Sequence, residues 1–247
     1  MKVELKWITP DAQNLIVYIA RVSNPKSQEG GENAERLIRY LITHRHWSPF
    51  EMASACYAVE TPRDISRQII RHRSQKIEED EPFHIQEFSQ RYADPTKLGF
   101  VFREARLQDP KNRQKSIPTD DNVLQEEWKE WQRMVLEAAT SAYRWATSQG
   151  IAKECARVVL PEGLTPSRIY IAATIRSWIH YCAVRRGEDA QKEHREIADA
   201  IWADLIDRMP ALAIAQDIAR AEKCTHEVQF FSTVGAVETG GSSGGGG

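Results

Sequence analysis

Glycine is concentrated at one end of this chain. Six of its 13 glycines lie between Gly240 and Gly247, interrupted only by Ser242 and Ser243. A backbone that seldom uses the residue best suited to tight corners is expected to be rich in helix. The Gly/Ser end buries no side chains and reads as a flexible coil, so the folding unit is taken as residues 1–222, with 223–247 as a tail. With 247 residues, 41% of them hydrophobic, the chain can build one good-sized core. A net charge of −2 excludes a strongly basic nucleic-acid coat. No apolar run approaches the ~18 residues of a membrane span. The first residues, Met1 to Lys6, lack the apolar centre of a secretory leader. Cys56, Cys155, Cys182 and Cys224 have no C-x-x-C spacing, so the expectation is a cytoplasmic protein with reduced thiols.

Residues 3–8 and 52–60 alternate apolar with polar side chains and read as strands; Ala55, Tyr57 and Val59 share one face of the second. Leu37, Ile38, Leu41 and Ile42 recur at helical spacing. Thr61-Pro62 supplies a cap and a first-turn proline for a helix over 61–73, followed by an acidic stretch at 78–82. Residues 87–92 read as a short strand, and 93–120 as irregular. Leu124, Trp128, Trp131, Val135 and Ala138 step by four and three, an amphipathic stripe whose tryptophans are expected to pack inward. A short helix is expected over 152–160. Thr165-Pro166 repeats the cap-and-proline signal, which predicts one helix from 165 to 186. Further helices are expected over 194–205 and 212–218. The fold class is α+β: a small antiparallel sheet from the N-terminal half packed with helices, and a helix-rich C-terminal half.

Arg63, Arg67 and Arg71 fall at i, i+4 and i+8 on one helix face, with Gln68, His72 and Arg73 beside them. Such a face is often simply solvated. Here Ile65, Ile69 and Ile70 tie the helix to a core, which brings some guanidinium groups near buried surface, where they suit phosphate or carboxylate. In Glu87-Phe88-Ser89-Gln90-Arg91-Tyr92, a strand would place Glu87, Ser89 and Arg91 on one side. His44, His46 and His72 lack carboxylates or thiols at ligand spacing, so no metal site is expected. Cys155 and Cys182 are expected to be small buried residues within helices.

Arg71-His72-Arg73 followed by Ser89-Gln90-Arg91 resembles the signature of the flavin-dependent thymidylate synthases. The likeness extends through His46-Trp47-Ser48-Pro49-Phe50-Glu51, Arg67-Gln68, Ala156-Arg157-Val158-Val159-Leu160-Pro161, Arg176-Ser177 with Arg185, and Gln191 with Glu193. Departures are an insertion within 74–85, Gln90 for a common glycine, His180 for a common asparagine, and Asp189 for a frequent histidine.

The resemblance implies reductive methylation of dUMP to dTMP, with FAD as cofactor and 5,10-methylenetetrahydrofolate and NADPH as co-substrates. It implies flavin contacts at Ser48, Arg71, His72, Arg73, Glu87, Thr174, Arg176 and His180. The nucleotide would be held by Gln68, Arg71, Glu87, Phe88, Ser89, Gln90, Arg91, Arg157 and Arg185. It further implies a homotetramer with active sites between subunits. Arg185 is the catalytic candidate: its charge beside the pyrimidine imide favours loss of the N3 proton. Arg185 is equally placed to be a cation at a helix C-terminus, and Arg157 to be a surface arginine. Two other readings stand beside the enzyme: an Arg-rich helical module binding nucleic-acid phosphate, and a flavin-free nucleotide phosphohydrolase.

Overall fold

The computed structural model describes residues 1–28, 33–72 and 83–215. Strand β1 (Lys2–Ile8) is followed by α1 (Ala12–Ala20), the short α2 (Pro25–Gln28), α3 (Ala34–Thr43) and the single turn α4 (Ser48–Glu51). Next come β2 (Ser54–Pro62), α5 (Arg63–Ile70) and β3 (His84–Glu87). A small hairpin, β4 (Arg106–Gln108) and β5 (Ser116–Pro118), precedes the 27-residue α6 (Asn122–Ser148) and the turn α7 (Lys153–Ala156). Strand β6 (Pro166–Thr174), α8 (Ile175–Arg185) and α9 (Lys192–Arg208) complete the body.

The main sheet is antiparallel throughout, in the order β1-β2-β6-β3. Its centre is a nine-pair register between β2 and β6, from Ser54 opposite Thr174 to Pro62 opposite Pro166. Ala55, Tyr57 and Val59 lie opposite Ala173, Ile171 and Ile169, and all six are buried on one face. Against that face pack Ile16, Ile38, Ile42, Phe50, Ile65, Ile69, Trp178, Ile197, Ile201 and Leu205 from the surrounding helices. Each fully buried aliphatic side chain there contributes roughly 1.5–3 kcal/mol. Trp178 anchors the middle: its indole N–H donates to the Ala55 carbonyl at 3.1 Å, and its ring meets Tyr57 edge-on.

The α+β class and small antiparallel sheet are as expected, but one central strand comes from outside the N-terminal half. The single helix expected over 165–186 is two elements. Pro166 begins β6, where alternation of Ile169, Ile171 and Ala173 governs, and the helix starts only at Ile175, capped by Thr174. Thr61 and Pro62 likewise belong to β2; α5 begins at Arg63 without a side-chain cap. The strand expected over 87–92 ends at Glu87. The irregular stretch 93–120 contains the β4–β5 hairpin.

Helix α6 turns inward a face about a quarter turn away from the one anticipated. Gln132, Leu136, Ala139, Tyr143 and Ala146 are buried, whereas Trp131, Val135 and Trp145 are 61%, 51% and 63% exposed. The reason lies in what α6 covers. Gln132 accepts from the Arg103 N–H and donates to the Arg103 carbonyl, both at 2.8 Å. Gln125 does the same with Ala105, at 2.8 and 2.9 Å. Extended backbone therefore meets two amide side chains instead of an apolar stripe. Cys182 is buried as expected, but Cys155 is exposed. The tail, the acidic stretch and most of the insertion lie outside the described residues.

Candidate active site

Glu87 closes β3 opposite Ile169 and points between two elements. Its Oε1 accepts the hydroxyl of Ser66 on α5 and that of Ser167 on β6, both at 2.8 Å. Its Oε2 lies 3.4 Å from Arg67. Arg67 and Arg63 also face Glu162, at 3.7 and 3.8 Å. Burial lowers the Arg63 pKa, and the Glu87 and Glu162 charges oppose that effect. Along the arginine face of α5, Arg63 is buried, whereas Arg67 and, at the helix end, Arg71 are exposed.

Beyond Glu87 the Phe88 N–H still pairs with the Arg168 carbonyl, at 2.8 Å, and then the chain turns. The Ser89 carbonyl accepts the N–H groups of Tyr92 and Ala93, and the Ser89 hydroxyl accepts the Arg91 N–H at 3.3 Å. Glu87, Ser89 and Arg91 are therefore not a strand face. The turn buries Gln90, whose Nε2 has no partner, and leaves Arg91 exposed beside Glu154 at 3.4 Å. Arg157 follows in the turn after α7, close enough for its charge to act on Arg63.

A second group forms where α5, α8 and α9 meet. Gln68 donates to Gln191 at 2.7 Å, and its Oε1 lies 3.4 Å from His194 Nδ1. His72 packs among Phe83, His180 and Tyr181, with ring centres 5.6, 5.7 and 5.1 Å away. Burial, reinforced by Arg185, lowers the His72 pKa to about 3, which keeps the ring neutral near pH 7. Arg185 ends α8 with its Nε buried and unpartnered.

At the other end of α8, Thr174 caps the helix by accepting the Ser177 N–H at 3.2 Å. Arg176 is buried and ion-paired to Glu51 of α4, whose first residue, Ser48, is exposed. Arg73 lies outside the described residues.

One chain thus gathers Gln68, Arg71, His72, His180 and Arg185 around the α5–α8–α9 junction. It holds Glu87 at the β3–β6 edge, Ser48, Thr174 and Arg176 at the start of α8, and Arg91 beside α7. Sequence reasoning missed Ser66, Ser167, Tyr181, His194, Arg103 and Arg106. The last two clamp Glu193: Arg106 at 2.7 Å and Arg103 at 4.0 Å, with Arg103 also 2.7 Å from Asp64. The signal available was a pair of arginines three apart with one acid between them, Glu104, which lies 3.2 Å from Arg106. Among the described residues, no group of three His, Cys, Asp or Glu side chains is arranged to hold a metal. No helix among them is long and apolar enough to cross a membrane.

Comparison with known proteins gives consistent matches. The profile of the thymidylate synthase complementing protein family matches residues 4–211. A probable flavin-dependent thymidylate synthase of Paramecium bursaria Chlorella virus 1 is 42% identical over 206 residues, covering 83% of this chain and 91% of that one. The flavin-dependent thymidylate synthase of Synechocystis is 41% identical over 203 residues, covering 82% and 88%. Among solved structures, the UMP/dUMP methylase PolB from Streptomyces cacaoi bound with 5-Br dUMP superposes with a TM-score of 0.70 at 27% identity, covering 87% of this chain and 93% of that one. The fold, the ordered arginine motifs and these matches agree: the chain belongs to the thymidylate synthase complementing protein family, that of the flavin-dependent thymidylate synthases.

Proposed function

We propose that this protein methylates dUMP to dTMP, taking the methylene group from 5,10-methylenetetrahydrofolate, with FAD as its cofactor and NADPH as reductant. The observation that carries the reading is Arg185, a half-buried side chain whose buried Nε–H has no partner, set at the same junction as Gln68 and His72. A buried donor without a partner costs about 1–3 kcal/mol, so such a group is retained for a ligand that supplies the acceptor. Gln90 Nε2 is a second buried donor of this kind.

The donor set fits a flavin and a nucleotide. His72, kept neutral by burial, lies beside His180 with ring centres 5.7 Å apart and planes tilted by 31°, and Arg71 and Arg176 supply charge for phosphate. When bound, the flavin supplies the hydride. This chain's residues do the rest. Arg185 against the pyrimidine imide favours the N3-deprotonated ring and raises electron density at the carbon to be methylated. Ser89, Arg91 and Arg157 hold the nucleotide phosphate, and Gln68 and Glu87 orient the base and sugar.

In a single chain Arg91 stands beside Glu154 and Arg157 near Arg63, whereas Arg185 acts on His72 and His194. A homotetramer with sites between subunits brings such groups together. The outer face of α6 supports that assembly. Leu124, Trp131, Ala138 and Trp145 repeat every seven residues, flanked by Trp128, Met134 and Val135, and form a seam that their own chain leaves largely uncovered. The scattered thiols suit the reducing cytoplasm as its compartment.

The test is the absorbance spectrum of the purified protein followed by a dTMP-formation assay with and without FAD. Flavin absorbance and FAD-dependent dTMP are the expected results. A colourless protein that forms no dTMP when FAD, methylenetetrahydrofolate and NADPH are added overturns the reading.

A further inference from the structure

Tyr181, His194, Gln68 and Gln191 form one line of hydrogen bonds linking α8, α9 and α5. The Tyr181 hydroxyl lies 3.1 Å from His194 Nε2, His194 Nδ1 lies 3.4 Å from Gln68 Oε1, and Gln68 Nε2 lies 2.7 Å from Gln191 Oε1. Tyr181 and His194 are both fully buried. At the far end, the Gln191 amide stands by the Glu193 carboxylate. Burial works against ionisation of that carboxylate, but a backbone N–H, Arg103, Gln191 and Arg106 together lower its pKa.

The direction of this line is fixed at both ends. The buried Tyr181 O–H has His194 Nε2 as its acceptor, so Nε2 carries no proton. Burial, with Arg185 second, lowers the His194 pKa to about 3, so the neutral ring keeps its one proton on Nδ1. That N–H requires an oxygen, which turns Gln68 Oε1 toward His194 and Gln68 Nε2 toward Gln191 Oε1. Gln191 then presents its N–H groups to Glu193, which as a carboxylate can only accept. The reverse direction strands the Tyr181 proton and sets an amide oxygen against a carboxylate, each a costly buried mismatch.

We propose that Tyr181 and His194 are positioning residues that lock the side-chain amide of Gln68, leaving one Gln68 N–H to donate to an acceptor oxygen of the bound nucleotide. The proposal rests on the reading of this protein as a dUMP-methylating enzyme. A flipped amide presents its carbonyl at the same point and repels a phosphate or pyrimidine oxygen. The lock therefore selects for an acceptor there, and it acts without touching the substrate.

The experiment uses the full-length, flavin-loaded protein and measures dUMP affinity by calorimetry, with KM and kcat for dUMP from dTMP formation. His194→Leu weakens dUMP about five- to tenfold, the scale of one neutral hydrogen bond, and the loss falls on KM rather than kcat. His194→Asn places an amide N–H where Nδ1–H stands and recovers affinity to within about twofold. Adding His194→Leu to Gln68→Ala causes no further loss, because the lock has nothing left to hold. Equal losses in His194→Leu and His194→Asn, or full additivity with Gln68→Ala, overturn the proposal. Should His194→Leu fail to fold, Tyr181→Phe with and without Gln68→Ala decides by the same additivity rule. An unchanged dUMP affinity in Gln68→Ala, with dTMP still formed, overturns the lock and leaves the enzyme reading standing. Absence of dTMP from the wild-type protein removes the enzyme reading itself.

Discussion

Ser167, on the central strand β6, donates its hydroxyl to Glu87 at 2.8 Å, and so fastens the end of the edge strand β3 to the middle of the sheet. The same Glu87 oxygen takes the Ser66 hydroxyl. Removing the carboxylate leaves two hydroxyls without an acceptor and takes from Arg67 one of its two acidic neighbours. Glu87→Ala is expected to lower unfolding stability by about 2 kcal/mol, and Ser167→Ala by about 1 kcal/mol. Urea unfolding of the three proteins checks this. A Glu87→Ala protein as stable as wild type would show that the hydroxyls find other acceptors.

Arg185 separates binding from turnover. Arg185→Ala is expected to purify with its flavin, since the cofactor contacts implied above lie at other residues, on α4, α5, β3 and the start and middle of α8. Its dTMP formation should fall roughly 100-fold or more, the usual scale for removing one transition-state electrostatic group. Arg185→Lys keeps the charge but not the planar fork and should fall between. Near-normal activity in the alanine variant refutes the role.

The two buried histidines set an acid limit on stability. His72 and His194 have folded pKa values of about 3, below the unfolded value of 6.5. Between those values the unfolded chain binds more protons, so stability falls as pH drops from about 6.5 toward 3 and is fully present above 6.5. Thermal unfolding between pH 7 and pH 4 should show this decline, and His194→Asn should make it shallower. An unchanged slope would mean that His194 is protonated in the folded protein.

The α6 seam gives a direct test of assembly. Trp131 and Trp145 are largely exposed in one chain. Trp131→Glu or Trp145→Glu should therefore leave helix content intact while shifting sedimentation to a smaller species. A variant that sediments as wild type places the contact elsewhere.

Local signals were legible and distant ones were not. The alternation of residues 3–8 and 52–60 marked β1 and β2, and the 3.6-residue spacing marked α3 and α9. The arginine motifs marked the family, because each lies within a few neighbouring residues. Thr165-Pro166 misled, since a threonine and a proline open a strand as readily as a helix when Ile169, Ile171 and Ala173 follow at period two. The tryptophan stripe of α6 was visible but assigned to the wrong side. The first half of the inward side meets the backbone of Arg103 and Ala105, which glutamine satisfies better than leucine. Ser66, Ser167, Tyr181 and His194 carry no local mark. Each matters through a partner on another element, as with Gln68 and His194, which are 126 residues apart in sequence.

Strand β6 also works as a spacer. Thr174, which caps α8, lies seven positions beyond Ser167, bound to Glu87; at ~3.3 Å per residue the two anchor points stand about 23 Å apart. Deleting one residue between them does more than shorten that distance, because every side chain beyond the deletion changes sides of the sheet. The chemistry at either end can therefore be retuned by exchanging side chains, whereas the length of the strand admits no revision.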